Sequence, residues 1–241
     1  QQIQIRPEHP KNLHHANLFY AIFGSKEKEY AFVTGQVPGG SGFRLEDGLG
    51  FLLPKGAILG LQMHYVTNGV ATTDRISVGI RFARERIQKR LRYLEVRDKR
   101  FAIPPGAPAH AVVAQRRLDR DVTGLGMFVH MHVRGRDMKF VAHYPNAPDE
   151  TLLTVPNYSF DWQRSYLWEQ GAKKFPAGTS IECVAHFDNS AFNPFNPDPT
   201  ATVRFGQQTF EEMMYGFFFY FEDDETLDLE IDPKNGRVVR R

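Results

Sequence analysis

The sequence holds a single cysteine, Cys183, in 241 residues. No disulfide can form within the chain, so its rigidity must come from packing, and a lone thiol neither requires nor excludes an oxidising compartment. Long apolar runs are also missing. GFFFYF at 216–221 has the length of a buried strand, far short of a membrane span. A strong charge of one sign is absent: the net charge is +2, which removes the electrostatic case for a nucleic-acid partner. The basic-looking stretch RFARERIQKRLRYLEVRDKR (81–100) carries three acids and alternating apolar residues, the pattern of a solvated strand or connector. Helical periodicity is nearly absent as well.

What is present is a succession of short alternating or apolar runs between Gly, Pro and Asn turn signals. ANLFYAIFG, EYAFVTG, AILGLQMHYVTNG, DRISVGIRF, HAVVAQRRL, GMFVHMHVRG, MKFVAHYP, TSIECVAHFDNS and EEMMYGFFFYF are examples. Spacing of this kind predicts an all-β chain of sandwich or jelly-roll type. The clearest break, RFAIPPGAPAH at 100–110, suggests a first domain over 1–100 and a second over 101–223, with 224–241 as a peripheral tail. NSAFNPFNPDPTA (189–201) reads as a long ordered loop between strands. The opening QQIQIRPEHP already reads as strand and turn, as in a mature form or a piece of something longer.

His130 and His132 stand two apart inside a strand-like run, and side chains at i and i+2 of a strand point the same way. Two imidazoles so placed can reach one metal ion or one pocket. His14 and His15 are adjacent, and neighbours in a regular strand point to opposite faces. They could share a metal only if the backbone is twisted or bulged there; the simpler alternative is one core and one surface histidine. His64 in LQMHYVTNG and Met213 and Met214 in FEEMMYGFF complete the candidates. Imidazoles without carboxylates suit copper or zinc, and a thioether shifts the preference to copper(I), because soft sulfur stabilises the soft reduced ion.

HHANLFY, LGLQMHYVTNG, AIPPG, VHMHVRGRDMKF and GQQTFEEMMYGFFF occur in the order and approximate spacing of the copper type II, ascorbate-dependent monooxygenases. That family includes dopamine β-hydroxylase and peptidylglycine α-hydroxylating monooxygenase. The chain resembles its bacterial members most, over residues 12–222. The resemblance implies two jelly-roll domains facing each other across a cleft, with one copper on each. It implies an electron-storing copper on His14, His15 and His64, and an oxygen- and substrate-binding copper on His130, His132 and Met213. Strand alternation lets only one of the two neighbouring methionines join that site. The implied reaction is hydroxylation of a C–H bond of a small organic substrate, with O2 and a reductant such as ascorbate as co-substrates. An extracytoplasmic setting, periplasmic or secreted, goes with it.

Departures from the family pattern bear on the substrate. The peptide-hydroxylating branch has an Arg two residues before its HxH pair; here Phe128 stands there. Tyr215 and Phe217 share a strand face with Met213, so an apolar or aromatic substrate is expected beside the second site. His143 and His186 are expected to be structural, His9 and His110 solvated, Cys183 buried, and Asp188 and Asn189 turn caps. Two other readings stay open: a non-catalytic copper-binding or electron-relay protein on the same scaffold, and an interaction module of a larger chain. A zinc hydrolase is disfavoured, since no carboxylate or base accompanies the histidines at a recognised spacing.

Overall fold

In the computed structural model of the chain the described residues are 1–22, 29–38, 40, 44–169 and 171–240, and they form strands, turns and loops with no helix among them. The last two residues of the run ANLFYAIFG lie outside the described residues. The chain divides into two compact units, residues 1–91 with 225–241 and residues 92–224.

The first unit contains β1 (Gln2–Pro7), β2 (Leu13–Ile22), β3 (Glu29–Gln36), β4 (Leu49–Gly50), β5 (Ile58–Tyr65), β6 (Ile76–Arg81) and β7 (Lys89–Arg90). β2 is the middle strand of the sheet β3-β2-β5, and β1 pairs with β6. Alternation decides what is buried: Ile3 and Ile5 on β1 and Ala16, Leu18 and Tyr20 on β2 form one apolar cluster with Val33.

The second unit contains β8 (Arg92–Asp98), β9 (Ala102–Ile103), β10 (His110–Arg117), β11 (Val122–His130), β12 (Gly135–His143), β13 (Glu150–Val155), β14 (Ser165–Leu167), β15 (Lys173–Phe175), β16 (Ser180–Phe187), β17 (Val203–Arg204) and β18 (Met214–Glu222). One sheet runs β10-β16-β12-β13 and another β14-β11-β18-β8, with β15 also pairing with β11. Val112, Phe140, Ile181, Cys183 and Phe187 from the first sheet share a core with Val96, Met127, Val129, Met214 and Phe218 from the second, the arrangement of a β-sandwich. At Gly216 the two sheets leave no room for a side chain. A Cβ there would stand 2.3 Å from Cys183 Sγ and 2.9 Å from Phe140.

Two segments sit differently from the sequence reading. The unit boundary falls at Leu91/Arg92, ahead of the Pro/Gly break at 100–110, because β8 is hydrogen-bonded along its length to β18 of the second unit. Residues 225–241 belong to the first unit instead of forming a separate tail: Leu227 and Leu229 donate backbone hydrogen bonds to Gln88 and Ile87. β19 (Glu230–Ile231) and β20 (Val238–Arg240) then pair with each other. No helix among the described residues is long and apolar enough to cross a membrane.

Candidate metal centres

His14, His15 and His64 come together in the first unit. β2 and β5 pair antiparallel with Leu13 opposite Tyr65 and His15 opposite His64, so the ladder carries one extra residue on β2, His14. A bulge of this kind bends and twists the strand locally. Neighbouring imidazoles that would otherwise point to opposite faces are thereby brought together, with their Nδ1 atoms 3.2 Å apart. Ring centroids of the three histidines are 5.0–5.4 Å apart, and one nitrogen from each can be chosen so that all lie within 4.8 Å of one another. Two nitrogens bound at about 2.0–2.1 Å to one ion with tetrahedral angles stand about 3.3 Å apart. The His14–His15 separation is therefore already that of a chelating pair. Burial lowers the pKa of His64 and so favours its neutral ring, the form that offers a lone pair to a metal.

His130 ends β11 in the second unit, and His132 lies two residues past it, where the chain leaves the strand. An irregularity between Gly124 and Gly126 puts one extra residue, Leu125, into the β11–β18 ladder. Without it His130 would fall on the core face with Val122. With it, Met127, Val129 and Met131 enter the core and Phe128, His130 and His132 take the other face. Gly126 is needed at this point: its φ of 155° disfavours a side chain, and a Cβ would meet Tyr166 O at 2.4 Å.

The two imidazoles are held edge to face with centroids 5.3 Å apart. His130 Nδ1 lies 2.9 Å from Gln163 Oε1, while Gln163 Nε2 donates to Phe160 O at 2.9 Å. The second bond sets the orientation of the amide, so the oxygen faces His130 and Nδ1 must be the donor. His132 Nδ1 lies 3.1 Å from Glu211 O, a carbonyl that can only accept. Both rings thus carry a proton on Nδ1, and in the neutral ring the lone pair is then on Nε2. This is how metal-bound histidines are commonly oriented. Tyr158 supports the residue between them: its hydroxyl donates to Met131 O and accepts from Met131 N. Phe160 stands edge-on to His132 at 5.9 Å.

Met213 immediately precedes β18. The β11–β18 ladder ends at the His130–Tyr215 pair, two residues along the chain from Met213. Met214 lies wholly in the core, whereas Met213 is half-buried. Glu212 is fully buried. Its Oε2 accepts from His132 N at 2.8 Å and Met213 N at 3.3 Å, and its Oε1 from Arg134 N at 2.6 Å. Burial dominates and raises its carboxyl to about 8, even against the lowering pull of these N–H donors and the Arg134 guanidinium.

The aromatic residues expected beside this site share one half-buried sheet face. Phe128 pairs with Phe217 across the ladder, centroids 5.9 Å apart; Tyr215 stacks on Phe217 at 5.8 Å, and Phe217 on Phe219 at 6.5 Å. Arg97 lies over the Tyr215 ring at 5.2 Å and donates to its hydroxyl at 3.0 Å.

The remaining histidines are placed apart from these sets. His186 Nδ1 meets Asp137 Oδ1 at 2.6 Å, and His143 lies 2.8 Å from Asp149 and 3.6 Å from Glu182. His9 is exposed. His110, expected in a solvated turn, instead opens β10 opposite Phe187 and is half-buried. Cys183 is buried, which raises its thiol pKa well above the usual value. Asp188 caps the turn at Ser190 N, and the fully buried Asn189 donates to Pro104 O and Ala201 O. Gln163, Tyr158, Arg134 and Glu212 are site residues that sequence reasoning missed. Only Glu212 carried a signal, the doubled acid beside the methionines.

No family model and no curated protein matches this chain. Among solved structures it is similar to infectious bursal disease virus, Gx strain, at 10% identity and a TM-score of 0.23, over 92% of this chain and 56% of that one. It is also similar to the VP2 subviral particle of infectious bursal disease virus, at 10% identity and a TM-score of 0.17, over 94% and 67%. The chain therefore spans little more than half the length of the first of these. Likenesses of this degree carry no argument about fold or function.

Proposed function

We propose that the protein is a copper-dependent monooxygenase that hydroxylates a C–H bond of a small apolar or aromatic substrate with O2 and a reductant such as ascorbate. Each unit is a jelly-roll domain that holds one copper. His14, His15 and His64 hold the electron-storing ion, and His130, His132 and Met213 hold the ion that meets oxygen.

The observation that carries this reading is the orientation of the donors: three imidazoles gathered by a bulge in one unit, and two imidazoles in the other whose Nδ1 atoms each face an acceptor oxygen, so that the neutral ring has its lone pair on Nε2. The donor chemistry fits copper. All nitrogen ligands are imidazoles, and the thioether at Met213 favours the reduced ion. When bound, copper supplies one-electron redox chemistry and an open position for oxygen. The chain's own residues do the rest: Gln163 and Glu211 O hold the imidazole tautomers, and the Phe128, Tyr215 and Phe217 face offers an aromatic wall against which a flat substrate can stack.

The test is metal content after reconstitution with copper, followed by a screen for ascorbate- and oxygen-dependent hydroxylation. The wild type is expected to hold two coppers and a His132→Ala variant one. A single copper unaffected by that substitution, or none, rules the reading out. Two coppers with no hydroxylation of any apolar or aromatic substrate point to the electron-relay alternative.

A further inference from the structure

We propose that Glu212 is the positioning residue that joins the His130/His132 turn to Met213, so that imidazole and thioether donors from distant parts of the chain form one site. The proposal rests on the copper reading above and adds to it how the third ligand is set.

His132 and Arg134 lie in a turn where the chain passes from β11 in one sheet to β12 in the other, so the backbone N–H groups of His132 and Arg134 have no ladder partner of their own. Buried N–H groups must be satisfied. Glu212, eighty residues away, satisfies both, one with each oxygen, and its Oε2 also takes the N–H of Met213. Burying a carboxyl this completely is costly unless it is bonded on all sides. An apolar residue would fill the same space without that cost, but it would leave the turn N–H groups unbonded and the turn untied from Met213.

The surroundings make the tie stiff. Arg134 is itself buried and donates from Nε to Asn189 Oδ1 at 2.8 Å, from Nη1 to Phe210 O at 2.8 Å and from Nη2 to Asp198 O at 3.5 Å. Glu212 N donates to Arg204 O at 3.1 Å, and Gly206 N to Glu212 O at 3.1 Å. Glu211 O meets the His132 ring at Nδ1. The segment 211–213 thus touches His132 through its ring and its backbone, and then supplies the methionine.

The test substitutes Glu212→Gln, which keeps size and shape but turns one accepting oxygen into an NH2 that faces an N–H and cannot accept from it. Wild type, Glu212→Gln and Met213→Ile are loaded with Cu(I) and compared by copper affinity and by X-ray absorption, which reports a copper–sulfur contribution. The Gln variant is expected to keep wild-type copper at the three-histidine site. It is expected to bind the second copper about 10–100-fold more weakly and to lose the sulfur contribution, as for residues that orient metal ligands. A Gln variant with the sulfur contribution intact and affinity within about twofold of wild type overturns the proposal. Should that variant not fold, Glu212→Asp carries the test: it keeps both oxygens one methylene short of their donors, and an unchanged sulfur contribution in it overturns the proposal equally. A wild type without a sulfur contribution that Met213→Ile removes overturns the copper reading itself, and this proposal with it.

Discussion

The two histidine sets are built by opposite means. In the first unit the ligands belong to two adjacent strands, and an extra residue in the ladder brings neighbouring imidazoles to 3.2 Å. The set is largely local, and its rings are one another's neighbours. In the second unit the spacing of His130 and His132 places both on one face without distortion at the pair itself. Everything that orients them, however, comes from far along the chain: Gln163, Glu211 and Glu212. A bulge can gather ligands cheaply but here buries only His14 and leaves His15 and His64 partly exposed. A buried hydrogen-bonded shell costs more residues and holds each ring in one tautomer.

The two sites differ most at the thioether. Met213→Ile is expected to abolish hydroxylation while the three-histidine copper stays in place, whereas His14→Ala is expected to remove that copper and leave the second. Copper stoichiometry alongside product formation separates the two. Equal loss from both sites in either variant would show that the sets are not independent.

The next effect is on the scaffold of the second unit alone. Gly216→Ala drives a methyl into Cys183 Sγ and Phe140 between the two sheets. Overpacking of this kind is expected to cost about 2–3 kcal/mol. Denaturant unfolding should show the loss in the transition that carries the second unit, with copper at His14, His15 and His64 unchanged.

A smaller effect sharpens the difference between a shell-held and a bulge-held set. Gln163→Leu removes the acceptor on His130 Nδ1, and the second copper is expected to bind about tenfold more weakly, about 1.4 kcal/mol. Competition with a Cu(I) chelator measures it, and unchanged affinity would mean that the amide does not orient the ring.

The smallest effect concerns an exposed pair in the same unit. Hydrogen bonds from Lys173 and Tyr144 hold the Glu150 carboxyl below its ordinary value of 4.5. A carboxyl with a depressed folded pKa contributes stability that is present above the unfolded value and lost as pH falls through the folded one. Both partners are about a third exposed, so Lys173→Met is expected to cost only about 0.5 kcal/mol near pH 7 and less near pH 3. Melting curves at the two pH values check it.

Period-2 alternation made the strands legible: the runs around Leu18, Phe140, Ile181 and Phe218 read as strands and are strands. The cofacial relation of His130 and His132 follows from the same sterics, which act between next-nearest neighbours and need no partner. The requirement for a bulge at His14 and His15 could also be stated from their adjacency. That the bulge is there could not, because a ladder's extra residue is set by its partner strand, β5, some fifty positions on. The extra residue at Leu125, the boundary at Leu91/Arg92 and the return of 225–241 to the first unit were decided in the same way, by pairing between distant segments. Gln163 was out of reach, and Glu212 showed only as one of a doubled acid, for a related reason. A buried polar side chain is chosen by the donors and acceptors that the fold leaves unbonded, and those exist only once the sheets have met.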